Sequence, residues 1–303
     1  MDSLAGKNFL ISGGTGFLGS HLVRRLFDLN CQNIFILVRQ KSSLERISGV
    51  INKVKLINFE NDSEIKQLKK IKFDYFIHAS TCYGRRNESK EEIHQVNVNW
   101  PLEILSYIDH SKLILLNFGT SLPPDLNEYS ASKHLFLVKV RNNYQCQIIN
   151  LILEQFYGPG DGTFLSFVIN QLSSKVQYLN LTAGIQQRDF IYYKDAVRAI
   201  IKILEWSLGS YNNRTERYYD FSIGTGQTST IRAIIEMIQK KLAVSETKLI
   251  WGAVPYRANE PMISVADITK LKKMGWMPLY SIEEGIDDMM KYLENEKEIT
   301  DKI

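Results

Sequence analysis

The sequence predicts an α/β fold, a doubly wound parallel sheet followed by a smaller C-terminal lobe. Three observations predict it. Short apolar runs of strand length alternate with longer amphipathic segments through the first half. The first such run leads into a glycine-rich turn, Gly13-Gly14-Thr15-Gly16-Phe17-Leu18-Gly19, and then a helical pattern. The regular alternation fades after about residue 155. Strand–helix alternation builds parallel sheets with helices on both faces.

Taken in order, Asn8–Ser12 reads as a buried strand and Gly19–Leu29 as the helix after it. Asn33–Val38 and Val54–Asn58 are the second and third strands, Asp74–Ala79 and Lys112–Asn117 the fourth and fifth, and Cys146–Leu153 the sixth. Glu91–Ile108 and Tyr129–Arg141 flank the fifth strand with helical patterns. Beyond the sixth strand, Gly158–Gly162 is rich in turn residues, while Phe164–Leu172, Ile231–Leu242 and Ile282–Leu293 are helical. The charged tail from Glu294 reads as frayed. A chain of 303 residues suits one large domain plus a lobe. The expected division is 1–155, with 186–205 packing back onto it, and 156–303 as the smaller lobe. In sheets of this kind ligands lie at the carboxyl ends of the strands, which is where that lobe is expected.

Composition narrows the function classes. The chain is 44% hydrophobic and 23% charged, as in ordinary globular proteins. A net charge of +4 with scattered lysines makes no case for a nucleic-acid partner. Cys31, Cys82 and Cys146 form no CxxC pair, and no His cluster has metal spacing, so no metal is expected and the thiols read as reduced. No run reaches the about 18–20 apolar residues of a membrane span, and Lys7 interrupts the first apolar run, so a cytoplasmic protein is expected.

The glycine turn points to a dinucleotide. Its spacing satisfies GxGxxG, and it stands between the first strand and a helix, where Gly13, Gly16 and Gly19 permit a tight turn and close backbone approach. The N-terminus of the helix that follows then offers free N–H groups to a pyrophosphate, with Phe17 and Leu18 of the turn also expected at the cofactor. An NAD site usually carries an acid at the end of the second strand. Here the strand ends Leu37-Val38-Arg39-Gln40-Lys41-Ser42-Ser43, with no acid before Glu45. Arg39, with Lys41 and Ser42 nearby, suits a 2′-phosphate, so the expected cofactor is NADP(H).

Tyr129-Ser130-Ala131-Ser132-Lys133 opens the helix after the fifth strand. Residues four apart share a helix face, so the ammonium of Lys133 is expected close to the phenol of Tyr129. A nearby cation favours the phenolate, which would make Tyr129 a general acid for a ketone oxygen.

Gly13–Gly19, His78-Ala79-Ser80, Asn97, Tyr129 with Lys133, Tyr157-Gly158-Pro159-Gly160-Asp161 and Arg188-Asp189-Phe190-Ile191-Tyr192 occur in this order. In that order they resemble the extended short-chain dehydrogenase/reductases, the NAD(P)-dependent nucleotide-sugar epimerases, dehydratases and reductases. The similarity runs to about Gly285. The late segment Gly252–Met262, with Gly275-Trp276-Met277-Pro278, looks most like a branch of NADPH-dependent 4-ketoreductases of CDP-linked deoxyhexoses.

The resemblance implies a Rossmann fold and roles for named residues. Ala79 and Ser80 would line the nicotinamide side, and Lys133 would bind its ribose. Asn97 would support the active-site helix. Gln155 and Phe156 would meet the substrate, and Arg188 and Arg257 would neutralise the diphosphate of a nucleotide sugar, for which a guanidinium fork is apt. The helices at 91–108 and 129–141 would pair in a homodimer. One position departs from the family. In Asn117-Phe118-Gly119-Thr120-Ser121, Phe118 falls where the family places a Ser or Thr that hydrogen-bonds the reacting oxygen. Thr120 is the expected replacement and Ser121 the fallback. The acid pair of the dehydratases is also missing. The expected reaction is therefore NADPH-dependent reduction of a keto, 4-keto by preference, deoxysugar nucleotide. An NAD(P)-dependent epimerase and a non-catalytic NADP(H)-binding protein are the alternatives. His21, His94, His110 and His134 have no partner carboxylate at useful spacing, Asp195 reads as a helix cap, and Tyr218-Tyr219-Asp220-Phe221 as a core strand.

Overall fold

The computed structural model describes residues 3–209 and 216–300, with side chains to 296. The chain divides into two compact units: Met1–Ile152 with Val197–Phe221, and Leu153–Ala196 with Ser222–Ile303.

The first unit is built on β1 (Asn8–Ser12), α1 (Phe17–Asp28), β2 (Asn33–Val38), β3 (Lys55–Asn58), α2 (Asp62–Gln67), β4 (Tyr75–His78), α3 (Lys90–His94), α4 (Trp100–Tyr107), β5 (Ile114–Phe118), α5 (Glu128–Asn143) and β6 (Gln147–Leu153). The second contributes β7 (Gln155–Tyr157), α6 (Phe164–Ser173), β8 (Tyr178–Leu181), β9 (Gln187–Arg188) and β10 (Phe190–Tyr192). α7 (Tyr193–Leu208) and β11 (Tyr218–Ile223) lead back into the first unit. The rest of the second comprises β12 (Ser229–Thr230), α8 (Ile231–Lys241), β13 (Lys248–Trp251), β14 (Ile263–Ser264), α9 (Thr269–Lys273) and α10 (Ile282–Thr300).

The main sheet runs β11-β6-β5-β4-β1-β2-β3. β1 through β6 pair in parallel, with Ser12 beside His78, His78 beside Asn117 and Asn117 beside Asn150. Helices cover both faces of such a sheet, which is why its strands are continuous apolar runs and not alternating ones. One face packs Leu10, Phe76, Leu115 and Ile148 against Phe136 and Val140 of α5. At the carboxyl ends that face turns polar. Ser12 shares a hydrogen bond with His78 Nδ1 (2.8 Å), and Asn117 Nδ2 donates to Asn150 Oδ1 (2.8 Å). The strand order reverses between β1 and β4, the switch point where crevices form in these sheets.

The helical pattern at 91–108 is one unbroken helical run over 90–107, in which α3 and α4 are joined by a π-turn at Gln95–Asn99, with Pro101 in the first turn of α4. One expectation is sharpened in this unit. His94 does have a carboxylate partner, Glu128 at 3.4 Å, supplied by α5 from outside its own sequence neighbourhood.

In the second unit, Tyr157, Leu165, Leu172, Ile234, Ile238 and Ile286 form a core of their own. Asp195 lies in the first turn of α7 but is no simple cap, because its Oδ2 accepts from the backbone N–H groups of Leu279 (2.9 Å) and Tyr280 (3.0 Å). The tail from Glu294 continues α10 to Thr300.

Candidate active site

The turn after β1 is fixed by close backbone approach. Gly13 has φ of +74°, and a Cβ there would lie 2.5 Å from the amide nitrogen of Ser80. A Cβ on Gly19 would lie 2.1 Å from the carbonyl oxygen of Gly13. Only glycine fits either position. Gly16 caps α1 without a side-chain oxygen, so no side chain competes for the first N–H groups of the helix, at Phe17, Leu18 and Gly19. Beside the turn lies a cleft of about 200 Å³ bounded by Gly13, Thr15, Gly16, Arg39, Ser42, Ser80 and Trp100. Arg39 is exposed at the end of β2, and its backbone N–H donates to Ser42 Oγ (2.9 Å), which fixes the turn that presents both. Phe59 and Trp100 wall the same cleft with rings 4.8 Å apart, edge to face. Neither was expected from the sequence, because the two aromatics lie on separate elements with no motif joining them.

On the other side of the switch point, Ala79 N–H donates to Ser12 O (3.0 Å), and Ser80 Oγ to Ser12 Oγ (3.1 Å). Burial holds His78 well below its usual value, with the Lys133 charge adding to the effect, so its ring is neutral.

α5 carries the tyrosine and lysine. Asn127 caps it, accepting from Ser130 N–H (2.9 Å) while Ser130 Oγ accepts from Asn127 N–H (3.2 Å). Tyr129 is half-buried, and burial pushes its phenol well above the usual range. Neighbouring Tyr83 adds to that rise, while Thr120 and the charge of Arg85 oppose it. Lys133 is 2% exposed, its Nζ has no hydrogen-bond partner, and burial lowers it to about 7. Tyr83, Thr120 and Arg85, which act on the phenol, come from elements other than α5.

β5 ends at Phe118, which is buried at 7% exposure and pairs with Leu151. Gly119 lets the chain pass close to β6, since a Cβ would lie 2.6 Å from Asn150 Oδ1. Two residues past the strand, Thr120 reaches the phenol of Tyr129. Ser121 is half-buried. Asn97 is buried; its Oδ1 accepts from Cys82 N–H (2.8 Å) and its Nδ2 donates to Cys82 O (2.9 Å) and Ser132 Oγ (2.9 Å). It thus ties the loop after β4 to α5.

Within the second unit, Arg188 is buried and Arg257 exposed, and both bind one carboxylate. Arg188 reaches Glu260 Oε1 (2.5 Å), and Arg257 Nε reaches Glu260 Oε2 (2.8 Å). Two guanidinium charges against one carboxylate leave one positive charge over. Gln155 and Phe156 lie half-buried on β7, where Gln155 N–H donates to Asp189 O (3.1 Å). Among the described residues, no group of His, Cys, Asp or Glu could hold a metal ion. No helix among them is long and apolar enough to cross a membrane.

A family model, the NAD dependent epimerase/dehydratase family, matches residues 9–215. The chain belongs to this family. Its members include enzymes similar to this one along nearly their whole length. CDP-abequose synthase of Salmonella typhimurium is 28% identical, over 94% of this chain and 97% of its own. A dTDP-4-dehydro-6-deoxyglucose reductase of Escherichia coli is 25% identical, over 93% and 96%. Among solved structures, an epimerase of Methanothermobacter thermautotrophicus matches with a TM-score of 0.79 at 18% identity, covering 98% of this chain and 95% of that one. The family resemblance read from the motifs is borne out, and so is the Rossmann-type sheet. As a member of this family, the chain belongs to enzymes that work with a nicotinamide cofactor.

Proposed function

We propose that this protein is an NADPH-dependent reductase of a keto, by preference 4-keto, deoxysugar nucleotide, with Tyr129 as the proton donor. The observation that carries this reading is the buried Nζ of Lys133, left without a hydrogen-bond partner on the helix whose Tyr129 stands beside Thr120. The similar reductase and synthase named above support the substrate class.

The residues fit a nicotinamide dinucleotide. The pocket at Gly13 and Gly19 is one a Cβ would fill, the start of α1 has uncapped N–H groups, and the orphaned Nζ of Lys133 calls for a polar partner. In this reading Gly13, Gly16, Phe17, Leu18 and Gly19 hold the pyrophosphate. Arg39 and Ser42 take the 2′-phosphate, Ala79 and Ser80 border the nicotinamide, and Lys133 binds its ribose. When bound and reduced, that cofactor supplies a hydride. Tyr129 donates its proton to the carbonyl oxygen as the alcohol forms, and Thr120, with Ser121 beside it, holds that oxygen. Arg188 and Arg257 carry the surplus positive charge that suits a diphosphate, and Gln155 and Phe156 line the substrate side. Two further parts of the reading are a homodimer through α4 and α5, which exposes Val138 (54%), and a cytoplasmic setting, which suits the free thiols Cys31, Cys82 and Cys146.

NADPH absorbance followed against a panel of 4-keto sugar nucleotides tests the proposal. Wild-type turnover, lost in Tyr129→Phe with NADPH binding nearly intact, is the expected result. Full turnover by that variant refutes the mechanism. Copurified NAD that survives dialysis, with no NADPH consumption, would assign the protein to the epimerases instead.

A further inference from the structure

Arg85 has no part in the roles assigned above. It is exposed on the loop that leaves β4, and no carboxylate among the described residues forms an ion pair with it. Its guanidinium carbon lies 4.7 Å from the ring centroid of Tyr83. The Tyr83 ring in turn lies 5.0 Å from that of Tyr129, at an interplanar angle of 38°. The three side chains make a short column ending on the catalytic phenol.

Buried hydrogen bonds set the spacing of that column. Asn97 grips both backbone groups of Cys82, the residue before Tyr83, and donates to Ser132 on α5. Ser132 Oγ donates to the backbone oxygen of Tyr129 (2.7 Å). One buried amide thus locks the loop carrying Tyr83 and Arg85 against the helix turn carrying Tyr129.

Tyr129 faces Tyr83 and Arg85 from the loop after β4 and Thr120 from the loop after β5. On its own helix stand Glu128, which pairs with Lys90 (2.9 Å) and His94 (3.4 Å), and Lys133. Burial leaves the Lys133 ammonium only partly populated near neutrality. A guanidinium keeps its charge across the working pH range, and its flat face suits stacking on an aromatic ring.

We propose that Arg85, held on Tyr83 and through it against Tyr129, is a positioning cation that stabilises the phenolate left when Tyr129 gives up its proton. The inference rests on the reading of the chain as a ketosugar reductase. In the step concerned, the carbonyl carbon gains a hydride, and with it two electrons, from reduced nicotinamide. The C=O π bond opens, its oxygen takes the Tyr129 proton, and water later reprotonates the phenolate. Charge rests on Tyr129 only between those two events, when a cation one ring away lowers its energy.

The test replaces Tyr129 with a ring-fluorinated tyrosine, whose greater acidity brings its ionisation into an accessible range, and titrates the apoprotein by fluorine NMR. Arg85→Gln is expected to raise the midpoint by about one unit, and Arg85→Lys to restore most of it. With the unlabelled enzyme, Arg85→Gln is expected to lower kcat for ketosugar reduction roughly tenfold, with KM and the thermal midpoint little changed. An unmoved titration midpoint overturns the proposal, as does a loss that appears in KM or in thermal stability alone. If the wild type reduces no ketosugar, the functional reading fails, while the titration still decides whether Arg85 acts on Tyr129.

Discussion

Thr120 stands beside the phenol of Tyr129 and opposes the rise that burial imposes on it, although β5 stops two residues earlier, at Phe118. The strand delivers the chain to the right place, and Gly119 lets it turn past Asn150 so that a hydroxyl arrives where Phe118 supplies none. Replacing Thr120 by Val keeps the shape and removes the hydroxyl. A drop in kcat of about a hundredfold is expected, the scale for losing one donor to a developing oxyanion, with Thr120→Ser close to wild type. Steady-state kinetics of the two variants checks this, and equal activities would leave Thr120 without a catalytic part.

Arg39 stands where an acid would favour NAD, and its own N–H is tied to Ser42. In the proposed reading, Arg39→Asp places a carboxylate against the 2′-phosphate and removes a charge-assisted hydrogen bond. The kcat/KM ratio of NADPH to NADH is expected to fall by about ten- to a hundredfold. A ratio that does not move would take cofactor choice away from Arg39.

Gly19→Ala sets a methyl group against the Gly13 carbonyl oxygen, at 2.1 Å before any relaxation. The neighbour is backbone and cannot swing away. A loss of about 3 kcal/mol in stability is expected, together with loss of NADPH binding. Thermal unfolding and NADPH fluorescence measure the two effects separately.

Lys133 gives a pH-dependent prediction. Burial lowers its folded value to about 7 from the ordinary 10.5 of a lysine. Between those two values the unfolded chain binds more protons than the folded one, so this residue makes stability rise with pH across that window. Below pH 7 the full cost of burying the ammonium applies, on the order of a few kcal/mol. Lys133→Met should therefore stabilise the apoprotein at pH 6, by an amount that shrinks as pH approaches 10. Chemical denaturation of both proteins at several pH values checks the trend, and a gain that grows with pH would contradict it.

Glu260 holds Arg188 at 2.5 Å and Arg257 at 2.8 Å. Glu260→Gln leaves the buried Arg188 cation without its counter-charge, which costs about 3–5 kcal/mol when a buried pair is broken. A fall in the thermal midpoint is expected, recovered in part by Arg188→Met in the same chain.

The parts of this protein legible in the sequence are those carried by neighbours along the chain. The glycine turn, the order of apolar runs and the Tyr129–Lys133 spacing each sit within one strand–turn–helix segment, where backbone geometry alone relates one residue to the next. The family and its parallel sheet followed from them. Spacing placed Lys133 on the helix face of Tyr129, but a shared helix face does not say how deeply each side chain is buried. Burial depends on what α5 packs against.

The sequence by itself determined the fold and the glycine turn after β1. Only the tertiary structure decided that Thr120 stands beside Tyr129, that Arg85 stacks on Tyr83 and Tyr83 on Tyr129, and that Arg188 meets Glu260 from 72 positions away. The physical reason is range. Hydrogen-bonded turns and helix faces are set over three or four residues, whereas a phenol's acidity and an arginine's partner depend on groups that meet only once the chain has folded.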